Sequence, residues 1–189
     1  MRGAADDELL ADAERKLVLS RIRDIPDWPE AGVMFKDITP LLLDPTAFAG
    51  VITALAATGR DESGGAGVET VVGIEARGFI LAAPVAHMLG VGFVPIRKQG
   101  KLPYRTRSAS YALEYGEATI EVHEDAFKPG DRVLIVDDVL ATGGTVESAA
   151  GLVTAAGAEV VAVSVLMELG LLSGRARISG LNLRALLRI

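Results

Sequence analysis

The chain has 189 residues, half of them hydrophobic, which suits one domain with a substantial core and excludes disorder. Its net charge of −6, from 25 acidic and 19 basic residues, argues against general nucleic-acid binding, which needs a basic surface. There is no cysteine, so disulfides and thiolate chemistry are excluded, and with only His87 and His123 a zinc site is not expected.

The first ten residues, MRGAADDELL, lack the basic-then-apolar pattern of a signal peptide. Leu10, Ala13 and Leu17 then recur at helical spacing and predict a helix between about Asp7 and Arg23. From Ile25 to Pro45 the chain is broken by Pro26, Pro29, Gly32 and Pro40, which predicts irregular structure with short extended pieces. Thr46 to Thr58 is Ala-rich and helical in pattern, and GRDESGGAG, from Gly59 to Gly67, is a solvated loop. TVVGI is a strand, EARGF leads into an apolar helix reaching about Leu89, and VGFVPI is a strand followed by RKQGK. The nearly uncharged run from Phe79 to Ile96 is interrupted by Pro84, His87, Gly90, Gly92 and Pro95. It therefore reads as a buried helix and a strand, since a membrane span needs ~20 predominantly apolar residues in one helix. ATIEVH alternates like a strand, KPGD makes a turn, and VLIV is a buried strand. Val146 to Ala156 is a helix stopped by Gly157, EVVAVSVLM is the next strand, and the tail GLNLRALLRI is weakly patterned. Continuous apolar strands alternating with helices imply an α/β protein with a parallel sheet covered on both faces. There is no repeat of fixed period and no linker, and the chain reads as a soluble cytoplasmic protein.

VLIVDDVLATGGT, from Val133 to Thr145, carries the chemistry. A branched apolar run is expected to end at Asp137 and Asp138, at the carboxyl end of a strand, where open α/β sheets bind ligands. The small residues Ala141, Thr142, Gly143, Gly144 and Thr145 then lead into a helix whose first free N–H groups form a ready anion site. Glycine lets a backbone approach a phosphate closely. Carboxylates accept hydrogen bonds only, so the aspartates suit hydroxyl groups rather than the phosphate. One ligand wants both halves: a sugar with vicinal hydroxyls and a phosphate. The string is neither a P-loop nor a dinucleotide fingerprint.

This string resembles the phosphoribosyl diphosphate (PRPP) motif of the type I phosphoribosyltransferases. GVMFKDITPLL, GIEARGF, IRKQGKLP and YALEYG are similar, in the same order, to motifs of the branch of that family that acts on adenine. The resemblance runs from about Ile22 to the C-terminus. It implies a single domain over residues 1–189, with a central, mostly parallel sheet flanked by helices. It also implies an N-terminal helical segment at 1–24, a base-binding hood at 25–45 and a mobile loop containing Tyr104 and Arg105. The implied activity transfers the phosphoribosyl group of PRPP to adenine, giving AMP and diphosphate. PRPP would be bound by Arg77, Arg97, Lys98, Lys101, Asp137, Asp138 and the loop from Ala141 to Thr145. In GIEARGF, the resemblance implies a cis peptide at Glu75–Ala76. Phe35 taken alone is a core residue; the resemblance implies that it stacks on the purine while backbone groups of Met34 and Lys36 read the base edge. Glu114 would face N7 of the base, and Glu114, Arg77 and Lys101 form the expected catalytic set. Magnesium is implied as a substrate-bound ion, with no metal cage from protein side chains, and a homodimer is implied with no nucleic-acid or membrane partner. His87 reads as packed and His123 as a surface residue, neither catalytic.

Two rivals remain open in the sequence. One is a phosphoribosyltransferase for another base, against which Phe35 and Glu114 argue. The other is a non-enzymatic PRPP sensor, against which the short N-terminal segment argues, because it is too short for a DNA-binding module. The segment from Lys98 to Tyr111 holds Gly100, Pro103 and several cations with little apolar periodicity, so it is expected to pack poorly and to act as a closing lid.

Overall fold

The computed structural model describes residues 9–112 and 117–189. Among the described residues nine strands and six α-helices follow one another in an α/β order. Helix α1 (Asp12–Ser20) leads into a hairpin of β1 (Arg23–Pro26) and β2 (Met34–Asp37). The hairpin register pairs Ile25 with Phe35. Its turn contains a cis Trp28–Pro29 bond, and the Gly32 N–H donates to Asp27 Oδ1 at 2.8 Å. Helices α2 (Thr39–Leu43) and α3 (Pro45–Ala57) come next. Asp44 caps α3 by accepting the N–H groups of Thr46 and Ala47 at 3.0 Å each, with Pro45 preset in the first turn.

The main sheet comprises β3 (Thr70–Ile74), β4 (Gly92–Lys98), β5 (Thr106–Ala112), β6 (Glu117–His123), β7 (Arg132–Leu140), β8 (Glu159–Glu168) and β9 (Leu183–Arg188). Its spatial order is β5-β6-β4-β3-β7-β8-β9. Strands β4, β3, β7, β8 and β9 are parallel, and β5 and β6 complete one edge antiparallel. Helix α4 (Arg77–Leu89) carries the chain from β3 outward to β4, whereas α5 (Gly144–Ala155) carries it from β7 outward to β8. The strand order therefore reverses between β3 and β7, which leaves a crevice at their carboxyl ends. Helix α6 (Gly174–Arg177) lies in the connection from β8 to β9.

The sheet is apolar on both faces, as the continuous hydrophobic strands require. Leu134 and Val136 of β7 join α3 and α4 in one core; Val133 and Ile135 join α5 in the other. Both cores hold the central strands rigid beneath the crevice.

The structure corrects several expectations. Strand β7 runs through Asp137 and Asp138 to Leu140, because β8 continues to pair with it at Asp137, Val139 and Leu140. Arg97 and Lys98 lie within β4, and Lys101 just past it. Thr106 to Tyr111, the last part of the segment read as a poorly packing lid, lies in β5, which β6 holds along its length. The weakly patterned tail forms β9, whose Leu183, Ala185, Leu186 and Leu187 are buried against β8. His87 is exposed on α4. His123 is half-buried, with Nε2 lacking a hydrogen-bond partner beside the Tyr104 ring, 6.1 Å away between centroids.

Candidate active site

The β7–α5 junction is built almost entirely from backbone. Gly143 caps α5 in the left-handed region, at φ +84°, where a side chain would be strained. A methyl group there would also lie 2.8 Å from the carbonyl oxygen of Gly174. Gly174 is packed still more closely: a methyl on it would come within 2.2 Å of the Ala141 carbonyl oxygen. The loop from Ala141 to Thr145 is thus clamped from outside by α6. Arg175 fixes that clamp through two bonds, from Nε and Nη2, to Oε2 of the buried Glu168, at 2.9 and 2.7 Å. What remains facing inward is a helix start with free N–H groups and partial positive charge.

The β3–α4 junction is built from charged side chains. The Glu75–Ala76 peptide is cis, and Arg77 begins α4. Arg77 donates from Nε to Oδ2 of Asp138, a carboxylate only 4% exposed. Glu75 Oε2 accepts from the Lys98 N–H at 3.0 Å and from Arg97 Nε at 3.2 Å, and Arg97 Nη1 reaches the Lys101 carbonyl at 3.0 Å. Burial opposes charge on Glu75, but the Lys98 N–H and the Arg97 guanidinium outweigh it and hold the carboxyl below its usual range. Asp137 differs. Burial first, and the neighbouring negative charge of Asp138 second, push its carboxyl well above the usual carboxylate range.

The two junctions share one cavity of about 300 Å³, whose lining includes Glu75, Arg77, Asp137, Asp138, Thr142 and Thr145. Tyr111 of β5 also lines it. The hairpin leans toward it: the Arg77 guanidinium lies 4.8 Å from the centroid of the Phe35 ring, whose other neighbour is Trp28 at 4.3 Å, edge to face. Arg77 therefore ties the hairpin, α4 and β7 together.

This crevice geometry agrees with what the chain is similar to. A family model described as the phosphoribosyl transferase domain matches residues 41–179. The chain belongs to the phosphoribosyltransferase family. An adenine phosphoribosyltransferase of Acidothermus cellulolyticus is 62% identical over 174 residues, covering 92% of this chain and 96% of that protein. The crystal structure of adenine phosphoribosyltransferase from Rhodothermus marinus superimposes with a TM-score of 0.88 at 48% identity, covering 95% of this chain and all of the other. The Saccharomyces cerevisiae enzyme, solved with an imino-altritol bisphosphate and adenine, superimposes at 0.84 with 34% identity, covering 93% of this chain and 98% of its own.

Within this phosphoribosyltransferase, the structure brings together Arg77, Asp137, Asp138 and the loop from Ala141 to Thr145. Arg97 and Lys98 join through Glu75, and Lys101 through its carbonyl. Phe35 is half-buried against Arg77, Met34 is exposed, and Lys36 pairs with Asp24 at 2.7 Å. Glu114 lies outside the described residues. The sequence reading missed Glu75 as the acceptor that holds Arg97 and the Lys98 backbone N–H, although it stands within GIEARGF. It also missed Tyr111 and the clamp formed by Glu168, Gly174 and Arg175, for which no local signal exists.

Proposed function

We propose that this chain transfers the 5-phosphoribosyl group of PRPP to adenine, giving AMP and diphosphate. The observation that carries this reading is the cavity at the strand-order reversal, where two helix starts suited to anions flank a pair of aspartates. In this reading the loop from Ala141 to Thr145 takes the 5-phosphate. Asp137 and Asp138 accept the ribose hydroxyls, and Arg77, Arg97, Lys98 and Lys101 face the diphosphate. Phe35 stacks on the base, with the backbone of Met34 and Lys36 at its edge and Glu114 at N7. The reaction displaces diphosphate from C1 of the ribose through a transition state with oxocarbenium character. Catalysis then comes from positioning the partners and neutralising the leaving group, without a covalent nucleophile.

Magnesium fits the donor set. The cavity offers carboxylate and hydroxyl oxygens, the ligands a hard cation takes, while Asp138 is already engaged by Arg77. Among the described residues no group of three or more His, Asp or Glu could hold a metal, and in this reading its ligands come mainly from PRPP and water. When bound, magnesium supplies charge neutralisation on the diphosphate. A homodimer and a cytoplasmic setting belong to the same reading. Among the described residues no helix is long and apolar enough to cross a membrane.

The test is an assay with PRPP, magnesium and each purine base in turn. Adenine should exceed hypoxanthine and guanine by far, and comparable specificity constants for hypoxanthine and adenine would sink the assignment. Gel filtration with light scattering tests the dimer.

A further inference from the structure

Arg177, the last residue of α6, stands outside the cavity lining. Its Cβ lies 3.3 Å from where a methyl on Gly143 would sit, and its Nη1 lies 3.2 Å from where a methyl on Gly144 would sit. Tyr111, which lines the cavity, converges on the same point at 3.3 Å. The guanidinium therefore stands beside the first turn of α5, at the edge of the phosphate loop. Its bonding partner is Glu147, which Nε reaches at 2.7 Å from within that first turn. The side chains are 39% and 51% exposed. An ion pair this open contributes little to stability. Glu147 moreover brings negative charge to the helix end where the fold concentrates positive potential for an anion.

We propose that Arg177 is a binding residue for the 5-phosphate of PRPP, held beside the loop by Glu147 until the phosphate arrives. The inference rests on the reading that the loop from Ala141 to Thr145 takes that phosphate. Two features support it. Guanidinium matches phosphate in bidentate geometry, and a dianionic phosphate competes for it better than a solvated carboxylate does. The clamp of Glu168, Arg175 and Gly174 also fixes α6 on the loop, so the Arg177 side chain needs only to swing, not to be carried in by a moving segment.

The test is calorimetric binding of two probes, ribose 5-phosphate and inorganic diphosphate, to the whole enzyme. Arg177→Gln should weaken ribose 5-phosphate about tenfold, the share of one charge-assisted bond, and leave diphosphate unchanged. Arg177→Lys should recover part of that loss. Glu147→Gln should tighten ribose 5-phosphate by roughly two- to threefold, because it removes a competitor and a repulsive charge. In turnover, Arg177→Gln should raise the KM for PRPP with the KM for adenine unchanged. Wild-type ribose 5-phosphate affinity in Arg177→Gln would overturn the inference. So would an equal loss for both probes, or a Glu147→Gln variant that weakens binding as Arg177→Gln does, since either result marks a structural tie. If Arg177→Gln fails to fold, the sign of the Glu147→Gln effect decides alone. Failure of the wild-type enzyme to bind ribose 5-phosphate at all would overturn the reading of the loop, and the role of Arg177 with it.

Discussion

The two strand-to-helix junctions that form the cavity solve one problem with opposite materials. At β7–α5 the proposed anion site is backbone: a glycine cap at φ +84°, small neighbours, and a clamp that acts by contact. At β3–α4 it is mainly charge: Arg77 on Asp138, and Arg97 on Glu75, which also accepts the backbone N–H of Lys98. A phosphate that stays with the sugar through the reaction can be met by fixed N–H groups. A diphosphate that leaves must be met by side chains that can change partners. The backbone site should thus break by sterics and the charged site by neutralisation.

The largest effect should follow from Gly174→Ala, although Gly174 touches no proposed ligand. The added methyl would sit 2.2 Å from the Ala141 carbonyl oxygen, and backbone must move to admit it. Displacing a positioning loop by even 1 Å can cost about a hundredfold in rate, so kcat/KM should fall by about that much. Gly151→Ala, on a face of α5 with nothing within 4 Å, is the control and should be neutral or slightly stabilising. If both variants keep wild-type kinetics, the clamp is idle. At the charged junction, Asp138→Asn should lower kcat/KM by about ten- to a hundredfold, the share of a charge-assisted bond to a ribose hydroxyl, and Asp137→Asn should lower it by less, because its carboxyl is held toward the neutral form. Arg77→Gln should lower the melting temperature more than Asp138→Asn does. It leaves Asp138 buried without its cation, whereas the reverse change leaves Arg77, about one-third exposed, in contact with water. Equal melting temperatures would contradict that asymmetry.

The same contrast explains what was legible beforehand. VLIVDDVLATGGT could be read because a buried parallel strand, a small-residue loop and a helix start are each local patterns. The sheet followed from apolar runs such as TVVGI for the same reason. The charged junction was legible only residue by residue: Arg77 and Arg97 stood out, but their partners lie 61 and 22 positions away. Gly174 and Glu168 carry no local sign of their contact with Ala141 and Arg175. The end of β7 was misplaced because charge at Asp137 and Asp138 was taken as a stop, while pairing with β8 sustains the strand past them. Likewise Thr106 to Ala112 has few apolar residues, and its strand is fixed by β6 rather than by its own pattern.

Asp137 belongs to both junctions and sharpens the comparison through pH. Its carboxyl is raised above the ordinary range, so the fold favours the protonated form. The associated stability is therefore fully present below the unfolded pKa, near ~3.9, and is lost as pH rises through the higher folded value. Asp137→Asn should consequently raise the melting temperature of the ligand-free protein at neutral pH while lowering activity, at roughly 2–4 °C per kcal/mol for a chain of this size. The gain should shrink in acid, where wild-type Asp137 is also neutral. A gain that is constant from acid to neutral pH would mean that packing, not buried charge, is responsible.

The smallest effect concerns the connection between β4 and β5, where the charged junction meets solvent. Its base is anchored twice: Arg97 holds the Lys101 carbonyl, and the Gly100 N–H donates to Glu121 at 3.0 Å. Beyond Lys101, the exposed Pro103, Tyr104 and Arg105 carry the chain to Thr106, where pairing with β6 begins. Trypsin should therefore cut the free enzyme after Lys101 and Arg105 but spare Arg107, which sits inside β5 opposite Val122. An oxocarbenium-like centre must be shielded from water, so closure of this connection over bound substrate has a chemical purpose. PRPP with magnesium should slow both cuts. Glu75→Gln should speed the cut after Lys101 in the free enzyme, since it loosens the arginine that holds that carbonyl, and should leave the cut after Arg105 unchanged. Equal cleavage rates with and without saturating PRPP would make this connection an ordinary surface loop. Rapid cleavage after Arg107 would mean that β5 opens too, so that the moving unit reaches past the loop into the sheet edge.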